Sequence, residues 1–517
     1  MNFSEKLNNI LKDYAKGNKK SAYKKFKKIY LQNNKDIRLR YNLAVMQQEL
    51  GFLDEAELNY ISLIKNSEDI KFKINLYKLY IAKEFFQDAL RIISLIKLGS
   101  FDLIEVQHDK AYILYLLKSY EESINECNKI LIIDNKNSAA LNTLGLCYLS
   151  LQKYDEANVN LEKALSFDKN NIKILNSLGR LNHELRKSKE AKKYFEKAFK
   201  LNSNIFETLN NIAGFYLEES KYQRAIDFYK KAEILKPQNS ILLNNLAKSY
   251  ICINQVTEAE KYCKKAISIN QKNDEFKKTL SLILLKKYDF KNAWLYFDGR
   301  LGLSDFIAKN PTLELLRNKI PKNQKIDQNS RILVLREQGI GDEILYGTMY
   351  KDLLQSFPNV TIECDERLMP LFKNSFINSA NKFVKLGFYS NYSEKINSFD
   401  YVLYAGSLGK YFRNNLNSFS KKTYLKAIKN YDEPELEEIN KKINGIKIGI
   451  SWKSFKNRYA NEKSLELEDF NKIFDTKNCN FINLQYGDVS KEVIEYNNKY
   501  KQKIFTIENL NLFNELD

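Results

Sequence analysis

The sequence predicts an α-solenoid of stacked helix pairs, followed by α/β lobes built on parallel sheets. Small residues recur with a period of 34 through the first 300 residues, and short apolar runs alternate with helix-like segments after residue 331. Only 6 prolines and 17 glycines occur among 517 residues, which argues against turn-rich or linker-rich architectures. At about 100–200 residues per domain, this length accommodates a repeat array and further domains.

The repeat is marked by a small residue that returns at steps of 34, with a single step of 33. These residues are Ala22, Ala56, Ala89, Ser123, Ala157, Ala191, Ala225, Ala259 and Ala293. A large or medium-sized residue follows four positions later, as at Leu161, Phe195 and Tyr229. A small residue lets two antiparallel helices approach closely. Because one pair cannot bury its apolar face alone, successive pairs stack.

Residues 138–171 resemble the tetratricopeptide repeat. The matching positions are Leu144, Gly145, Tyr148, Tyr154, Ala157, Leu161 and Ala164. The resemblance covers residues 1–300 and implies a superhelix of about nine helix pairs. Residues 301–330, which contain Pro311 and Pro321, are expected to form a linker or docking segment.

Asparagines recur on the first helix of successive predicted pairs. The set comprises Asn142, Asn176, Asn210, Asn211, Asn244 and Asn245. In such repeats the first helices line the concave face, where a ladder of amides can hydrogen-bond the backbone of an extended peptide. We therefore expect a protein or peptide partner in this groove. The alternative is a solvated surface in an asparagine-rich chain.

From residue 331 the pattern becomes strand, turn and helix. The apolar run 332–335 suits a strand buried on both faces, and Gly339, Gly341 and Asp342 follow it ahead of a helix-like segment. Further strands are expected at 360–364, 399–403, 445–453, 481–488 and 501–507. Ligands of parallel α/β sheets bind beyond the carboxyl ends of the strands, which is where this glycine turn lies.

Four motifs occur in a specific order in this second region. They are Arg336–Asp342, Gly406–Leu408, Gly449–Lys453 and Asn483–Gly487. Together with the repeats, they resemble bacterial repeat proteins with a C-terminal GT-B glycosyltransferase-like domain, related to O-linked N-acetylglucosamine transferases and heptosyltransferases. The resemblance implies a Rossmann-like lobe at 331–435 for the acceptor and another at 436–517 for the donor.

The resemblance also implies site residues. Asp342 would be the general base that takes the proton of the acceptor hydroxyl, with a helix-capping carboxylate as the alternative. Lys453 would offset charge on the nucleotide diphosphate leaving group, unless it is one more surface lysine. The donor would be a nucleotide-sugar such as UDP-GlcNAc or ADP-heptose, with no further cofactor and no metal. Substrate or donor contacts would come from Gln338, Gly339, Gly341, Lys453, Lys463, Ser464 and Gln485.

The second lobe is expected to be incomplete, because the chain reaches Asp517 soon after the third strand of that lobe. A fragment, a degenerate lobe and a lobe completed by a partner are the alternatives. Two functions follow. One is transfer of a sugar from a nucleotide-sugar to a protein or glycan hydroxyl, with the repeats recruiting the acceptor. The alternative is a non-catalytic scaffold for protein–protein interaction with a degenerate α/β remnant.

The amino-acid composition argues against several other classes of protein and of functional site. The two histidines, His108 and His183, exclude a Ser-His-Asp triad in the second half and an HExxH metalloprotease helix. The six cysteines form no CxxC pair and fit free thiols in a reducing compartment. The net charge of +19 is interleaved with acidic residues at helical spacing, which argues against nucleic acid. Without an apolar run of about 18 residues, a cytoplasmic protein with no membrane span is expected.

Overall fold

The computed structural model describes residues 3–96, 103–321, 325–388, 393–426, 441, 443–454, 464–500 and 504–507. The chain forms two compact units, residues 1–255 and 256–517. The described part of the first unit is helical throughout, with short turns between the helices. The helices are α1 Phe3–Ala15, α2 Lys19–Gln32, α3 Ile37–Glu49, α4 Leu53–Asn66, α5 Ile70–Ala82, α6 Phe86–Ile93, α7 Ile104–Leu116, α8 Tyr120–Ile133, α9 Ser138–Ser150, α10 Tyr154–Phe167, α11 Ile172–Glu184, α12 Ser188–Leu201, α13 Phe206–Glu218, α14 Tyr222–Leu235 and α15 Ser240–Cys252.

Helices α1 to α14 of the first unit form seven consecutive pairs, in which the odd-numbered helix comes first, and α15 follows them. The repeated small residue lies on the second helix of each pair, and Ala157, Ala191 and Ala225 are fully buried there. The facing position on the first helix is also small. A Cβ added to Gly179 would lie 2.5 Å from the ring of Phe195, so α11 and α12 approach too closely for any side chain at this position. The sequence prediction of paired helices is confirmed.

Five first helices, α3, α5, α9, α11 and α15, begin at asparagine or aspartate caps, whereas α7 and α13 have no side-chain cap. The side chain of Asn137 accepts a hydrogen bond from the backbone N–H of Ala140 at 3.0 Å, and that of Asn171 accepts from Lys173 at 3.0 Å. Asp36, which precedes α3, does the same for that helix. These caps satisfy backbone donors that have no partner inside the helix, so they fix where the five capped helices start.

The turn inside each helix pair passes through one residue in the left-handed region. Gly17 and Gly51 take this place in the first two pairs, with φ of 97° and 83°. In the later pairs of the first unit the residue has a side chain, although it keeps a φ between 58° and 65°. These later residues are Glu84, Lys118, Gln152, Arg186, Ser220 and Asn254. An L-residue is strained in this conformation, so each of these turns carries a local penalty.

The second unit begins with three more helices and continues into two parallel sheets. Its described helices are α16 Val256–Ile269, α17 Asp274–Lys286, α18 Phe290–Phe297, α19 Ser304–Lys309, α20 Leu313–Leu316, α21 Ile340–Gly347, α22 Tyr350–Ser356, α23 Met369–Ser375, α24 Ser393–Ile396, α25 Gly409–Phe412, α26 Asn471–Phe474 and α27 Ser490–Tyr500. Its described strands are β1 Ile332–Leu335, β2 Val360–Cys364, β3 Phe383–Lys385, β4 Tyr401–Tyr404, β5 Ile446–Ile450, β6 Cys479–Asn483 and β7 Ile504–Thr506.

The first sheet has four parallel strands in the order β3-β2-β1-β4. All four residues of β1 are buried, as expected of a central strand covered on both faces. The sequence predicted β1, β2 and β4 within two residues. It missed β3, because a three-residue strand flanked by short helices carries no periodic pattern. The second sheet is also parallel, in the order β5-β6-β7.

The described part of the segment predicted as a linker or docking segment, residues 301–321 and 325–330, packs against the first sheet. It contains the short helices α19 and α20, and Leu313 and Leu316 are buried against Leu333 and Leu335 of β1. Helices α16, α17 and α18 lie in the same compact unit as the sheets. Residue 300, where the sequence places the end of the repeats, therefore lies inside the second unit.

A buried ion pair joins the short 3-10 helix that follows α18, Asp298–Gly302, to the loop after β1. Both oxygens of the Glu337 carboxylate accept hydrogen bonds from the Arg300 guanidinium, each at 2.8 Å, and both residues are almost inaccessible to solvent. Arg300 also donates to the hydroxyl of Ser407 at 2.9 Å and pairs with Asp298. The indole of Trp294 donates to the carbonyl of Arg413 at 2.6 Å. Apart from the local pair of Arg300 with Asp298, these contacts join residues that are 37 to 119 positions apart in the chain.

We expect glycine at the strained turns to stabilise the repeats. Lys118→Gly, Gln152→Gly and Arg186→Gly should each raise the free energy of unfolding by about 0.5–1 kcal/mol, because relief of left-handed strain exceeds the added chain entropy. Thermal denaturation followed by circular dichroism measures the change. As a control, Lys163→Gly in the exposed interior of α10 should lower stability by about 1 kcal/mol. A fall in melting temperature for all three turn variants would contradict the prediction.

We also expect the buried ion pair to behave as one element. Arg300→Met should cost about 3–5 kcal/mol, because it leaves the Glu337 carboxylate buried without a counter-charge. Adding Glu337→Gln should recover part of this loss, since a neutral amide needs no cation. Hydrogen–deuterium exchange of the β1 amides reports the opening of this unit. If the double variant exchanged faster than Arg300→Met alone, the coupling would be absent.

Candidate functional site

The asparagines predicted to form a ladder lie at one repeated helix position. Asn142, Asn176, Asn210 and Asn244 are each the fifth residue of their first helices, α9, α11, α13 and α15. These first helices also contact one another in succession, which brings the four positions onto one shared surface of the first unit. This surface is called the groove below.

Three of these asparagines carry a buried oxygen without a hydrogen-bond partner among the described residues. The atoms are the Oδ1 atoms of Asn142, Asn176 and Asn244, whose side chains are 8%, 6% and 2% exposed. The amide nitrogen of Asn176 donates to the hydroxyl of Thr208 at 2.9 Å, which fixes its orientation. A buried acceptor without a donor costs about 1–3 kcal/mol, so three at repeated positions call for an explanation.

The remaining asparagines of the predicted set differ in their surroundings. Asn210 and Asn211 are half-buried. Asn245 is also half-buried, and its side chain hydrogen-bonds the hydroxyl of Tyr229, which lies on the second helix of the preceding pair. Asn245 therefore takes part in the contact between helices.

His108 occupies the same helix position one repeat earlier, as the fifth residue of α7. Its Nε2 lies 3.0 Å from the hydroxyl of Thr143 and 3.1 Å from the carbonyl of Ala139, both on α9. Its ring stacks on Tyr112, which stacks in turn on Tyr115. Burial is the main cause that lowers the pKa of His108, so the imidazole is neutral at pH 7. The predicted set of asparagines did not include this position, although the spacing of 34 between His108 and Asn142 already placed His108 in the row.

The glycine turn after β1 lies where the sequence predicted it. Gly339 and Gly341 flank the start of α21, and the Asp342 carboxylate accepts a hydrogen bond from the backbone N–H of Gly339 at 3.2 Å. This is the geometry of the capping alternative. Gln338 is left-handed, with a φ of 65°, and its amide donates to the hydroxyl of Tyr346. Residues other than glycine that adopt a left-handed backbone conformation are often found at functional sites.

A compact charged cluster lies beside this turn. Asp365 follows β2 and pairs with Arg336 at 2.9 Å and with Arg367 at 2.8 Å. The Glu343 carboxylate is fully buried and accepts from the backbone N–H of Asp365 at 2.9 Å. Burial raises the pKa of Glu343, while hydrogen bonding to Arg367 lowers that of Asp365. Each of these charges already has a partner within the turn.

Two of the residues predicted to contact the donor, Lys453 and Gln485, are engaged within the region of the second sheet. The Lys453 ammonium lies 2.6 Å from the Glu492 carboxylate, and this hydrogen bond raises the lysine pKa. The Gln485 amide is 2% exposed and ties the end of β5 to the end of β6. Its oxygen accepts from the backbone N–H groups of Trp452 and Lys453, and its nitrogen donates to the Lys453 carbonyl.

Two further predicted donor residues lie beside an undescribed stretch. The Ser464 hydroxyl accepts from the backbone N–H of Ser454 at 3.0 Å. Lys463 lies outside the described residues. No group of three or more His, Cys, Asp or Glu side chains suited to hold a metal ion occurs in the part of the chain that the structure describes. Within the same residues, no helix has both the length and the apolar content to cross a membrane.

Comparison with known proteins finds similarity in the repeat region of the chain. Tetratricopeptide-repeat family models match residues 138–171, 172–205 and 216–283. Among curated proteins, Protein FlbA of Caulobacter vibrioides is 26% identical over 207 residues, which are 37% of this chain and 34% of FlbA. The chain thus matches about a third of the length of that relative.

Solved structures of other repeat proteins are similar at low identity. A tetratricopeptide repeat protein from Parabacteroides merdae is 19% identical, with a TM-score of 0.32, over 54% of this chain and 98% of that one. Yeast Tom70 is 18% identical, with a TM-score of 0.33, over 59% of this chain and 61% of its own. On the family matches, the sequence period and the observed helix pairs, residues 138–205 and 216–283 of this chain are tetratricopeptide repeats.

Proposed function

We propose that the protein is a scaffold whose repeats bind an extended peptide segment through the row of groove asparagines. The observation that carries this proposal is the set of buried, unpartnered Oδ1 atoms on Asn142, Asn176 and Asn244. A backbone N–H is the donor that every peptide supplies, whatever its side chains. A small rotation of these side chains would present each oxygen to a bound strand, whose backbone N–H groups would then remove the penalty that the free protein carries.

The row would recognise the backbone, because its amides lie at one helix position in successive pairs. Helices in contact lie about 8–10 Å apart, which corresponds to about three residues of extended chain. Thr143 and Thr208, already bonded to His108 and Asn176, hold the polar side chains of the row in place. A pre-ordered row loses little conformational freedom when it binds, which favours affinity.

The test uses a displayed library of random 12-residue peptides selected on the full chain. The triple variant Asn142→Ala/Asn176→Ala/Asn244→Ala should bind the selected peptides about 100-fold more weakly, since three hydrogen bonds of about 1 kcal/mol each are lost. The matched control Asn128→Ala/Asn158→Ala changes exposed asparagines on second helices and should leave the dissociation constant unchanged. Fluorescence anisotropy with labelled peptides gives both values.

Two further readouts separate binding from folding. The triple variant should stay close to the melting temperature of the parent protein, because removal of three unpartnered buried acceptors offsets the lost packing and the lost hydrogen bond between Asn176 and Thr208. Methylation of a peptide backbone nitrogen removes its donor, so a scan of N-methyl peptides should show loss of binding at some positions and none at others. Uniform tolerance of N-methylation would rule out backbone recognition.

Sugar transfer from a nucleotide-sugar to a protein or glycan hydroxyl is the second candidate, and one observation favours it. The first sheet is parallel in the order β3-β2-β1-β4, and its glycine turn lies at the carboxyl end of β1, where α/β enzymes bind ligands. In this proposal Asp342 is the general base, and the donor phosphates compete with Glu492 for Lys453. The lobes would be of the GT-B type, with the repeats recruiting the acceptor.

Calorimetry with UDP-GlcNAc and with ADP-heptose tests this candidate. Glu492→Gln should strengthen donor binding, because it frees the Lys453 ammonium while its amide oxygen can still accept from the Trp452 indole. Glu495→Gln, an exposed change on the same helix, is the control. Asp342→Asn should abolish sugar transfer while donor binding persists. Absence of heat with both donors, for the parent chain and for Glu492→Gln, would reject sugar transfer from these donors.

A further inference from the structure

The groove row is flanked on both sides by residues that repeat with it. The second and the ninth residues of each first helix share a face with the fifth, because positions three and four apart lie on one side of a helix. On α11 the three are Lys173, Asn176 and Arg180. A chain lying along the row would therefore have one flank formed by second positions and another by ninth positions.

The two flanks differ from helix to helix. The second positions of α7, α9, α11, α13 and α15 are Glu105, Ala139, Lys173, Glu207 and Ile241. The ninth positions are Tyr112, Leu146, Arg180, Gly214 and Lys248. Among these five helices, α11 alone carries a cation on both flanks, whereas α9 has no charged residue along its entire length.

Both cations of α11 are exposed and have no carboxylate within 4 Å among the described residues. By contrast, Glu207 on the neighbouring helix is already paired with Lys236 at 3.3 Å. The unbalanced charge of this part of the groove is therefore positive. Two unpaired cations on either side of a buried amide acceptor form a built site for an anionic chain.

The charged side chains also influence polar groups of the groove on another first helix. Lys173 acts on the pKa of His108, and Arg180 and Glu207 act in opposite directions on the pKa of Tyr112. His108 and Tyr112 lie on α7, whereas the three charged residues lie on α11 and α13.

We propose that the groove prefers an extended acidic segment, in which two consecutive carboxylate side chains are bound by Lys173 and Arg180. Successive side chains of an extended strand point to opposite sides, so adjacent residues would meet the two flanks of the α11 position. About three residues away, the strand would lie against Ala139 and Leu146 of α9 and place apolar side chains there. This inference rests on the proposed peptide-binding function and specifies its partner.

The experiment uses the same displayed library, with the full chain as bait. Peptides selected on the parent protein should be enriched in adjacent Asp and Glu residues. The double variant Lys173→Glu/Arg180→Glu should lose this enrichment and select basic residues instead. Lys189→Glu/Lys193→Glu, two exposed lysines of the second helix α12, makes the same change in net charge and should keep the acidic enrichment. This control separates the groove from general attraction to a basic protein.

Synthetic versions of a selected peptide give the size of the effect. Replacing its two acidic residues by Gln should weaken binding to the parent chain at least tenfold, and raising the salt concentration should weaken the acidic peptide more than the Gln peptide. Lys173→Gln/Arg180→Gln should remove the difference between the two peptides. Circular dichroism confirms that each variant is folded.

The outcomes distinguish this inference from the function on which it rests. Selected peptides without acidic bias, or with a bias that the Lys173 and Arg180 variants leave unchanged, would overturn the inference while peptide binding stands. If nothing is enriched over an unrelated bait, the peptide-binding function fails and the inference fails with it. If phosphoserine in place of the two acidic residues binds more than tenfold tighter, the site is specific for phosphate and the assignment to carboxylates is wrong.

Discussion

The close contact between the two helices of each pair is the constraint on which the repeat region depends. At Gly179 the neighbouring Phe195 ring occupies the space that a Cβ would need, and buried alanines take the facing positions of other pairs. With the helices held this close, each first helix begins and ends at a fixed point relative to its partner. The fifth residue of every first helix then falls at an equivalent place, so a period in the sequence becomes a row of side chains.

Much of the repeat fold could be predicted from the sequence, because its determinants are local and periodic. The small residues, the helix pairs and the asparagine row all follow from a spacing of 34. The left-handed turn residues could not be predicted. Glu84, Gln152 and Arg186 have no side-chain property in common that favours this conformation, and the register of the helices imposes it on them.

In the second unit, the sequence predicted secondary structure only where a buried strand appears as a run of apolar residues. Contacts that join distant segments left no signal in the sequence, as the pairing of Arg300 with Glu337 shows. The same holds for the candidate donor residues, since Lys453 was chosen by motif position and its partner Glu492 lies 39 residues away. In the groove, the spacing of 34 predicts the positions of the asparagines. That their Oδ1 atoms have no hydrogen-bond partner depends on packing, which only the structure shows.

The ion pair between Arg300 and Glu337 has a consequence for how this protein can change during evolution. Repeat arrays lengthen and shorten by duplication or loss of whole units, which is harmless wherever neighbouring units are interchangeable. The last pair, α17 and α18, is not interchangeable, because Trp294 and Arg300 contact specific atoms of the sheet region. We therefore expect variation in repeat number to occur upstream of this pair. The side chains of the groove can then change while the contacts of Trp294 and Arg300 are kept.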